Sequence, residues 1–259
     1  MHAIQSTIRS FLLLWRAEIV RYCKETRMYV ASYISSLIVT GIIVASFVLS
    51  LGNGSDPTAW VGFFLWNASA TLIGEACVSI SADKQSGTFT QLMLRPASMV
   101  VQITAKTCAW VLVNVSIDVV YIVALFMLIG SPIGFSWQVV PIMLVVFAGL
   151  FGFTMIMASL TVLYTKTASL CDVVGYVMMF LGGVVVPIDA MPALLAALSR
   201  FMPITQGIAM SRKAILGQTL TAGDWTWLAA QAALFVAIGY LTFRLIMRYG
   251  RKRGINMRY

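Results

Sequence analysis

Charged residues are scarce in this sequence of 259 residues, at 10% of the total, whereas 60% of the residues are hydrophobic. Soluble domains carry roughly 25% charged residues, so the composition argues against a water-soluble domain with a single core. It favours an all-α integral membrane protein. The net charge of +9 is then explained by basic cytoplasmic loops and anionic membrane lipids, and nucleic acid is not expected as a partner.

Histidines, cysteine pairs and phosphate-binding loops are also lacking. His2 is the only histidine, which argues against histidine metal sites and against Ser-His or Cys-His catalysis. The four cysteines are scattered without a Cys-x-x-Cys pair, so a disulfide framework is not expected. No glycine-rich loop ends in Gly-Lys-Ser or Gly-Lys-Thr. We therefore expect no catalytic residues, cofactor or metal ion in this chain, and no nucleotide hydrolysis by it.

Long apolar runs are abundant, and a membrane-spanning helix needs about 20 mostly apolar residues. The sequence predicts one transmembrane domain over residues 1–259, with an N-terminal helix in 1–29, a six-span bundle in 30–247 and a basic tail in 248–259. The six predicted spans are roughly 30–51, 59–80, 106–129, 139–164, 170–186 and 225–247.

The distribution of basic residues predicts the orientation of these spans. With the N-terminus in the cytoplasm, every Lys and Arg except Arg200, Arg212 and Lys213 lies on the cytoplasmic side. Because cytoplasmic loops carry an excess of Lys and Arg, both termini are expected in the cytoplasm.

The N-terminal segment has apolar residues at helical spacing before the first span, and its basic residues lie off that face. This pattern is typical of an amphipathic helix on the inner membrane surface. A membrane anchor and a docking face for a cytoplasmic partner both fit it. The apolar face comprises Ile4, Ile8, Phe11, Leu12, Trp15, Ile19 and Tyr22.

The connection between the second and third spans, residues 81–96, is longer than the roughly two to eight residues typical between packed helices. Phe89, Leu92 and Met93 give a short predicted helix one apolar side, and Pro96 ends it. Such a helix fits either lipid headgroups or a groove on another protein.

The stretch DKQSGTFTQLMLRP resembles the signature of the six-helix permeases of ABC exporters, the type-2 export superfamily. Gly87, Thr88, Phe89, Leu92 and Pro96 carry the match. Family members usually have Glu two residues before the glycine and three after it, where this chain has Gln85 and Thr90.

A second stretch, residues 181–217, is similar to the family's segment between the fifth and sixth spans. In both, a glycine-rich helix end is followed by a short helix that starts at a proline, then by Pro-hydrophobic-Thr and a basic pair. The matching residues are Pro187, Pro192, Pro203, Thr205, Arg212 and Lys213.

The resemblance implies that residues 81–96 form a coupling helix, inserted into a groove of a separate ABC-type ATPase. It further implies a second permease chain, identical or different, and ATP and Mg on the ATPase chains. The implied location is a bacterial cytoplasmic membrane, as a multi-pass protein. The implied coupling residues are Asp83, Gln85, Gly87, Thr88, Phe89, Leu92 and Arg95.

Glu75 is an acidic residue within the second predicted span. Ionisable side chains inside a membrane usually face protein or water. Glu75 fits an ion pair with Lys106, with Arg95 or with a basic residue of the N-terminal helix. A gate contact between spans or subunits is the alternative.

Two further acids lie in predicted spans. Asp118 stands in the middle of the third span near Asn114, and it fits either the lining of a polar route or a hydrogen-bonded helix contact. Asp172 is expected near the inner interface. The three acids are scattered along the sequence, which argues against a proton relay.

The segment between the fifth and sixth spans predicts two short helices, at 192–201 and 204–216, folded back against the outer leaflet. They fit either an element that closes the exit of a pathway, or a structured cap without substrate contact. Pro187, Pro192 and Pro203 shape this predicted cap, and Arg212 in it fits lipid phosphates or an anionic substrate.

Together with these features, the resemblance implies the membrane subunit of an ATP-driven exporter of an amphiphile: a drug or antibiotic, a lipid or a glycolipid. Two other classes remain open. A gradient-driven secondary transporter without an ATPase would show inverted repeats and broken mid-membrane helices. An integral membrane enzyme acting on lipids would need clustered Asp, His or Lys near an interface.

Overall fold

The computed structural model describes residues 2–50, 55–94, 98–164 and 167–253. It confirms the all-α class, with 84% of the residues helical. Besides a 3-10 helix at Ile188–Ala190, the helices are α1 (His2–Met28), α2 (Val30–Ser50), α3 (Ala59–Gln85), α4 (Phe89–Leu94), α5 (Met99–Ile129), α6 (Val139–Leu163), α7 (Ala168–Leu181), α8 (Ala193–Phe201), α9 (Thr205–Ile215) and α10 (Ala222–Arg253).

Five helices, α2, α3, α5, α6 and α10, are long and apolar enough to cross a membrane, and the bent pair α8–α9 would make six. The predicted span at 170–186 is the exception. Its helix, α7, has 14 residues and ends at Leu181, which gives a length of about 21 Å against a hydrocarbon core of about 30 Å. The chain leaves the helix at Gly182 and Gly183, and Gly183 has φ +77°, a conformation that favours glycine.

The third predicted span starts earlier than expected. Helix α5 begins at Met99 rather than at residue 106, because the Ser98 hydroxyl caps it by accepting a hydrogen bond from the Val101 N–H (3.3 Å). Helix α10 also starts with a cap. The Thr221 N–H donates to the Asp224 carboxylate (3.0 Å) and the Asp224 N–H donates to the Thr221 hydroxyl (3.2 Å).

Helix α3 lies at the centre of the bundle, in contact with α5, α6, α7 and α9. Consecutive residues Phe63, Phe64 and Leu65 are all buried, which is expected of a helix surrounded by other helices. Two ends of the bundle are named after α3 below: the α4 end, where α3 leads towards α4, and the α9 end, where α3 starts beside α9.

Helix α10 packs mainly along α6. The two backbones touch where Gly152 of α6 meets Gly239 of α10, since a Cβ atom added at Gly239 would overlap the Gly152 carbonyl oxygen. Small residues allow this close approach of membrane helices.

Helix α1 packs along α5. Tyr22 is buried, and Trp15 and Ile19 pack against the core. Part of the predicted apolar face of α1 therefore contacts protein, while Leu12 on the same predicted face is 51% exposed. The placement of α1 on a membrane surface stays a prediction.

Candidate functional site

The chain turns sharply between α3 and α4. Gly87 has φ +71°, which disfavours any residue with a Cβ, and its N–H donates to the Lys84 carbonyl (3.2 Å). The Thr88 hydroxyl donates to the Asp83 carbonyl (3.2 Å), and it also lies 2.9 Å from the Ser86 hydroxyl. These bonds hold α4 in one orientation at the end of α3.

Phe89 and Leu92 of α4 face the protein itself. Phe89 is 1% exposed, and the half-buried Leu92 packs beside it. This corrects the interpretation for Phe89, which lies neither on headgroups nor in another protein's groove, because α3, α5, α6 and α10 converge beneath α4 and cover it. The cluster around Phe89, called the α4 junction below, comprises Ile80, Met99, Ile103, Met155, Ala158, Val162, Phe243 and Met247.

Polar and apolar groups remain exposed on the other side of α4 and at the end of α3. Leu94 is 81% exposed, and Gln91 and Gln85 are exposed as well. Gln85 donates from Nε2 to the Ser81 hydroxyl (2.9 Å). The predicted coupling residue Arg95 lies outside the described residues.

Lys84 has a role that the sequence did not reveal. Its side chain is buried, with 4% exposed, and Nζ donates to the carbonyls of Thr161 (3.4 Å) and Val162 (2.9 Å). These carbonyls belong to the last turn of α6, where backbone acceptors lack helical donors and a positive charge is favourable. From the sequence, Lys84 is only one of the basic residues expected on the cytoplasmic side, because its partners lie 77 and 78 residues further on.

Glu75 contacts a tyrosine of α1. Its Oε1 accepts a hydrogen bond from the Tyr22 hydroxyl (3.3 Å). Burial and the nearby Glu75 carboxylate raise the pKa of Tyr22, so the phenol keeps the proton that it donates. The expected ion pair with Lys106 is replaced by this bond, since Lys106 Nζ lies 3.9 Å from Asp83 Oδ2 and bonds to the Ser79 hydroxyl.

A cavity of about 750 Å³ lies between α2, α3, α5 and α7; it is called the polar cavity below. All four predicted intramembrane polar residues line it: Glu75, Asn114, Asp118 and Asp172. The three acids are scattered along the sequence, and helix packing brings them around one cavity.

Asp118 makes the helix contact that was one of its two predicted roles. Its Oδ1 accepts a hydrogen bond from Asn67 Nδ2 of α3 (3.1 Å). Asn114 donates to the Trp110 carbonyl (3.3 Å) within α5, and Asp172 is exposed. The same Asp118 side chain therefore links two helices and lines the polar cavity, and its role in a polar route stays a prediction.

At the α9 end, α8 and α9 lie within one residue of their predicted bounds and meet at 88°. Pro192 directly precedes α8, Pro203 lies in the bend, and Pro187 precedes the 3-10 helix. Arg212 of α9 points inward, where its guanidinium donates to the Val184 carbonyl (3.3 Å). This differs from the expected contact with lipid phosphates or an anionic substrate, because the side chain is held between α9 and the chain after α7.

The family model described as ABC-2 type transporter matches residues 9–216, a stretch that includes α4, the polar cavity and the α8–α9 pair. The chain belongs to this family. It is therefore a multi-pass membrane protein and a permease of an ABC-type transporter, a transport subunit rather than a catalytic one. A comparison with curated proteins found no significant match. ABC-2 permeases generally work with an ATPase partner.

Proposed function

We propose that this ABC-2 permease is the membrane subunit of an ATP-driven exporter, which moves an amphiphile out across the membrane. The proposed amphiphile is a drug or antibiotic, a lipid or a glycolipid. The α4 junction is the observation that carries the proposal. A short helix that is tied to α3 by its turn and anchored in a core of four helices is suited to transmit a push or a pull.

In this proposal a separate ABC-type ATPase contacts the exposed side of α4 and its turn. Asp83, Gln85, Gly87 and Thr88 form the contact together with Arg95. Phe89 and Leu92 act one step further inward: they convert movement of α4 into movement of α3, α5, α6 and α10. This assigns them to transmission rather than to the ATPase surface, in agreement with their burial.

Energy enters through contacts that differ between the inward and outward states, since a partner that binds both states equally shifts nothing. ATP and Mg bind on two ATPase chains, and a second permease chain, identical or different, completes the transporter. The excess of basic residues on the α4 side supports a location of α4 and both termini in the cytoplasm. A bacterial inner membrane is the proposed location.

The test is purification of the tagged full-length chain from its native membrane in mild detergent, followed by mass spectrometry. We expect a stoichiometric ABC-type ATPase, and we expect Leu94→Asp to release it. Leu194→Asp is the matched control, because Leu194 is 74% exposed at the α9 end. Substitution of Phe89 is avoided, since a charge in the α4 junction would disturb the fold itself.

Two results would overturn the proposal. One is substrate transport by the purified chain in vesicles that contain no ATP and no ATPase, which favours a gradient-driven secondary transporter. The other is equal recovery of ATPase with both leucine variants, which would place the contact elsewhere.

A further inference from the structure

The polar cavity is lined by acidic residues without basic ones. Glu75, Asp118 and Asp172 line it, and among the described residues no Lys, Arg or His does. This contrasts with the net charge of +9 for the whole chain. A negative charge without a basic partner attracts cations strongly in a weakly polarisable surrounding. Coulomb interactions are poorly screened there.

Asp118 has one carboxylate oxygen that the protein leaves unpaired. The residue is 7% exposed, and Oδ1 is engaged by Asn67. Within the described part of the chain, Oδ2 is buried and has no hydrogen-bond partner. A buried carboxylate oxygen without a partner is unfavourable, so a donor or a positive charge in the cavity would be stabilised there.

Aromatic and apolar side chains complete the lining. Trp66 and Trp110 lie in the wall, as do Tyr33 and Tyr176. Trp66 is held in place by a hydrogen bond from Nε1 to the Gly175 carbonyl (2.9 Å). Aromatic rings attract organic cations as well as apolar groups, and the cavity volume of about 750 Å³ lies within the range of roughly 300–1,000 Å³ seen for small-molecule sites.

We propose that the polar cavity binds cationic amphiphiles, with Asp118 as the main counter-charge and Asn67 holding its carboxylate in place. This inference rests on the proposed export function and names the class of substrate: a hydrophobic body that carries a permanent or protonated positive charge. Glu75, which Tyr22 already engages, and the exposed Asp172 add negative potential without being the main contact.

The probe pair is tetraphenylphosphonium and tetraphenylborate, which have the same four phenyl groups and opposite charges. Binding is measured by equilibrium dialysis to the purified full-length chain in lipid nanodiscs without ATP, with empty nanodiscs subtracted. We expect tetraphenylphosphonium to bind at least about tenfold more tightly than tetraphenylborate, because only the cation gains from the acidic lining.

Three variants then locate the binding. Asp118→Asn keeps the shape and is expected to weaken tetraphenylphosphonium binding about tenfold or more, whereas Asp118→Glu keeps the charge and much of the affinity. Asp189→Asn is the matched control, since Asp189 is an exposed acid outside the cavity. The Asp189→Asn variant should bind tetraphenylphosphonium as tightly as the unmodified protein does.

Equal binding of the two probes, or equal affinities for Asp118→Asn and Asp189→Asn, would overturn the inference. The comparison of the two probes needs no substitution, so it stands even where a variant fails to fold. Selective cation binding by a chain that recovers no ATPase would contradict the export proposal alone, and an ATPase complex without selective cation binding would contradict this inference alone.

Discussion

Lys84 joins two membrane helices at the α4 junction through its ammonium group. It belongs to the last turn of α3 and donates to two carbonyls of the last turn of α6. The contact satisfies backbone acceptors that have no helical donor, and it lies directly before the turn into α4. This single side chain therefore fixes the end of α3 against α6 at the point where the proposed transmission begins.

Replacement of Lys84 with methionine is expected to destabilise the protein. Lys84→Met keeps most of the side-chain volume but leaves the Thr161 and Val162 carbonyls without their donor, which costs roughly 1–3 kcal/mol. Thermal unfolding of the detergent-purified chain measures the loss as a lowered midpoint. Lys24→Met is the control, since Lys24 is exposed on α1. Equal midpoints for the two variants would show that the α6 contact contributes nothing to stability.

The Tyr22–Glu75 bond has a similar linking role between α1 and α3. It explains why an acid can lie in an apolar helix without a basic partner within ion-pair distance among the described residues. A phenol is a neutral donor, so the bond adds no positive charge to the neighbouring polar cavity. The polar cavity therefore keeps its acidic character beside Glu75, because the partner of Glu75 is a neutral phenol and not a basic residue.

Among the helix pairs, α6 and α10 show how small residues govern packing. Gly152 and Gly239 bring the two backbones into contact, and Gly149 faces Ala232 in the same interface. Lipid chains are as apolar as leucine side chains, so close backbone packing is a main source of helix association in a membrane.

An added methyl group at this contact is expected to separate the two helices. In Gly239→Ala, the new Cβ meets the Gly152 carbonyl oxygen, and a backbone atom cannot move aside as a flexible side chain can. Such overpacking costs about 1–3 kcal/mol, measured as a lowered unfolding midpoint.

The control for this interface is Gly74→Ala on α3. A Cβ at Gly74 has nothing within 4 Å, and alanine favours a helix over glycine by up to about 1 kcal/mol. The Gly74→Ala variant should therefore have an unchanged or slightly raised unfolding midpoint. If Gly239→Ala behaves in the same way, the α6–α10 backbones do not touch as the structure describes.

For the whole molecule, the proposed orientation in the membrane rests on the unequal numbers of basic residues at its two ends. The α4 end and the termini carry most of the Lys and Arg, and the α8–α9 end carries few. The structure places α4 and the α8–α9 pair at opposite ends of α3, so one labelling experiment can test both ends.

Single cysteines at the two ends are expected to differ in accessibility. In a background with Cys23→Ser and Cys108→Ser, which removes the two exposed native thiols, a membrane-impermeant maleimide should label Leu194→Cys in right-side-out vesicles. It should label Leu94→Cys only after permeabilisation. The reverse pattern would place α4 on the outer side and remove the basis for a cytoplasmic ATPase contact.

Several features of the fold were predictable because their signals are local in the chain. Apolar runs of sufficient length located α2, α3, α5, α6 and α10, and the proline positions located α8 and α9 within one residue. Errors arose at helix ends. Residues 182–186 continue the apolar run after α7 but leave the helix at two glycines, whereas residues 99–105 already belong to α5 although the predicted span starts at residue 106.

The contacts of the candidate site depend on helices that are distant in sequence, and no local pattern reports them. Asn67 and Asp118 are 51 residues apart, and Lys84 and Val162 are 78 residues apart. Composition, run length and charge distribution predict a multi-span membrane protein with a short helix within residues 81–96, and the resemblance of two short stretches adds the permease family, since each of these signals is read from neighbouring residues. The inward packing of Phe89 and the gathering of Glu75, Asp118 and Asp172 around one cavity arise from helix packing, because only packing sets which faces of separate helices meet.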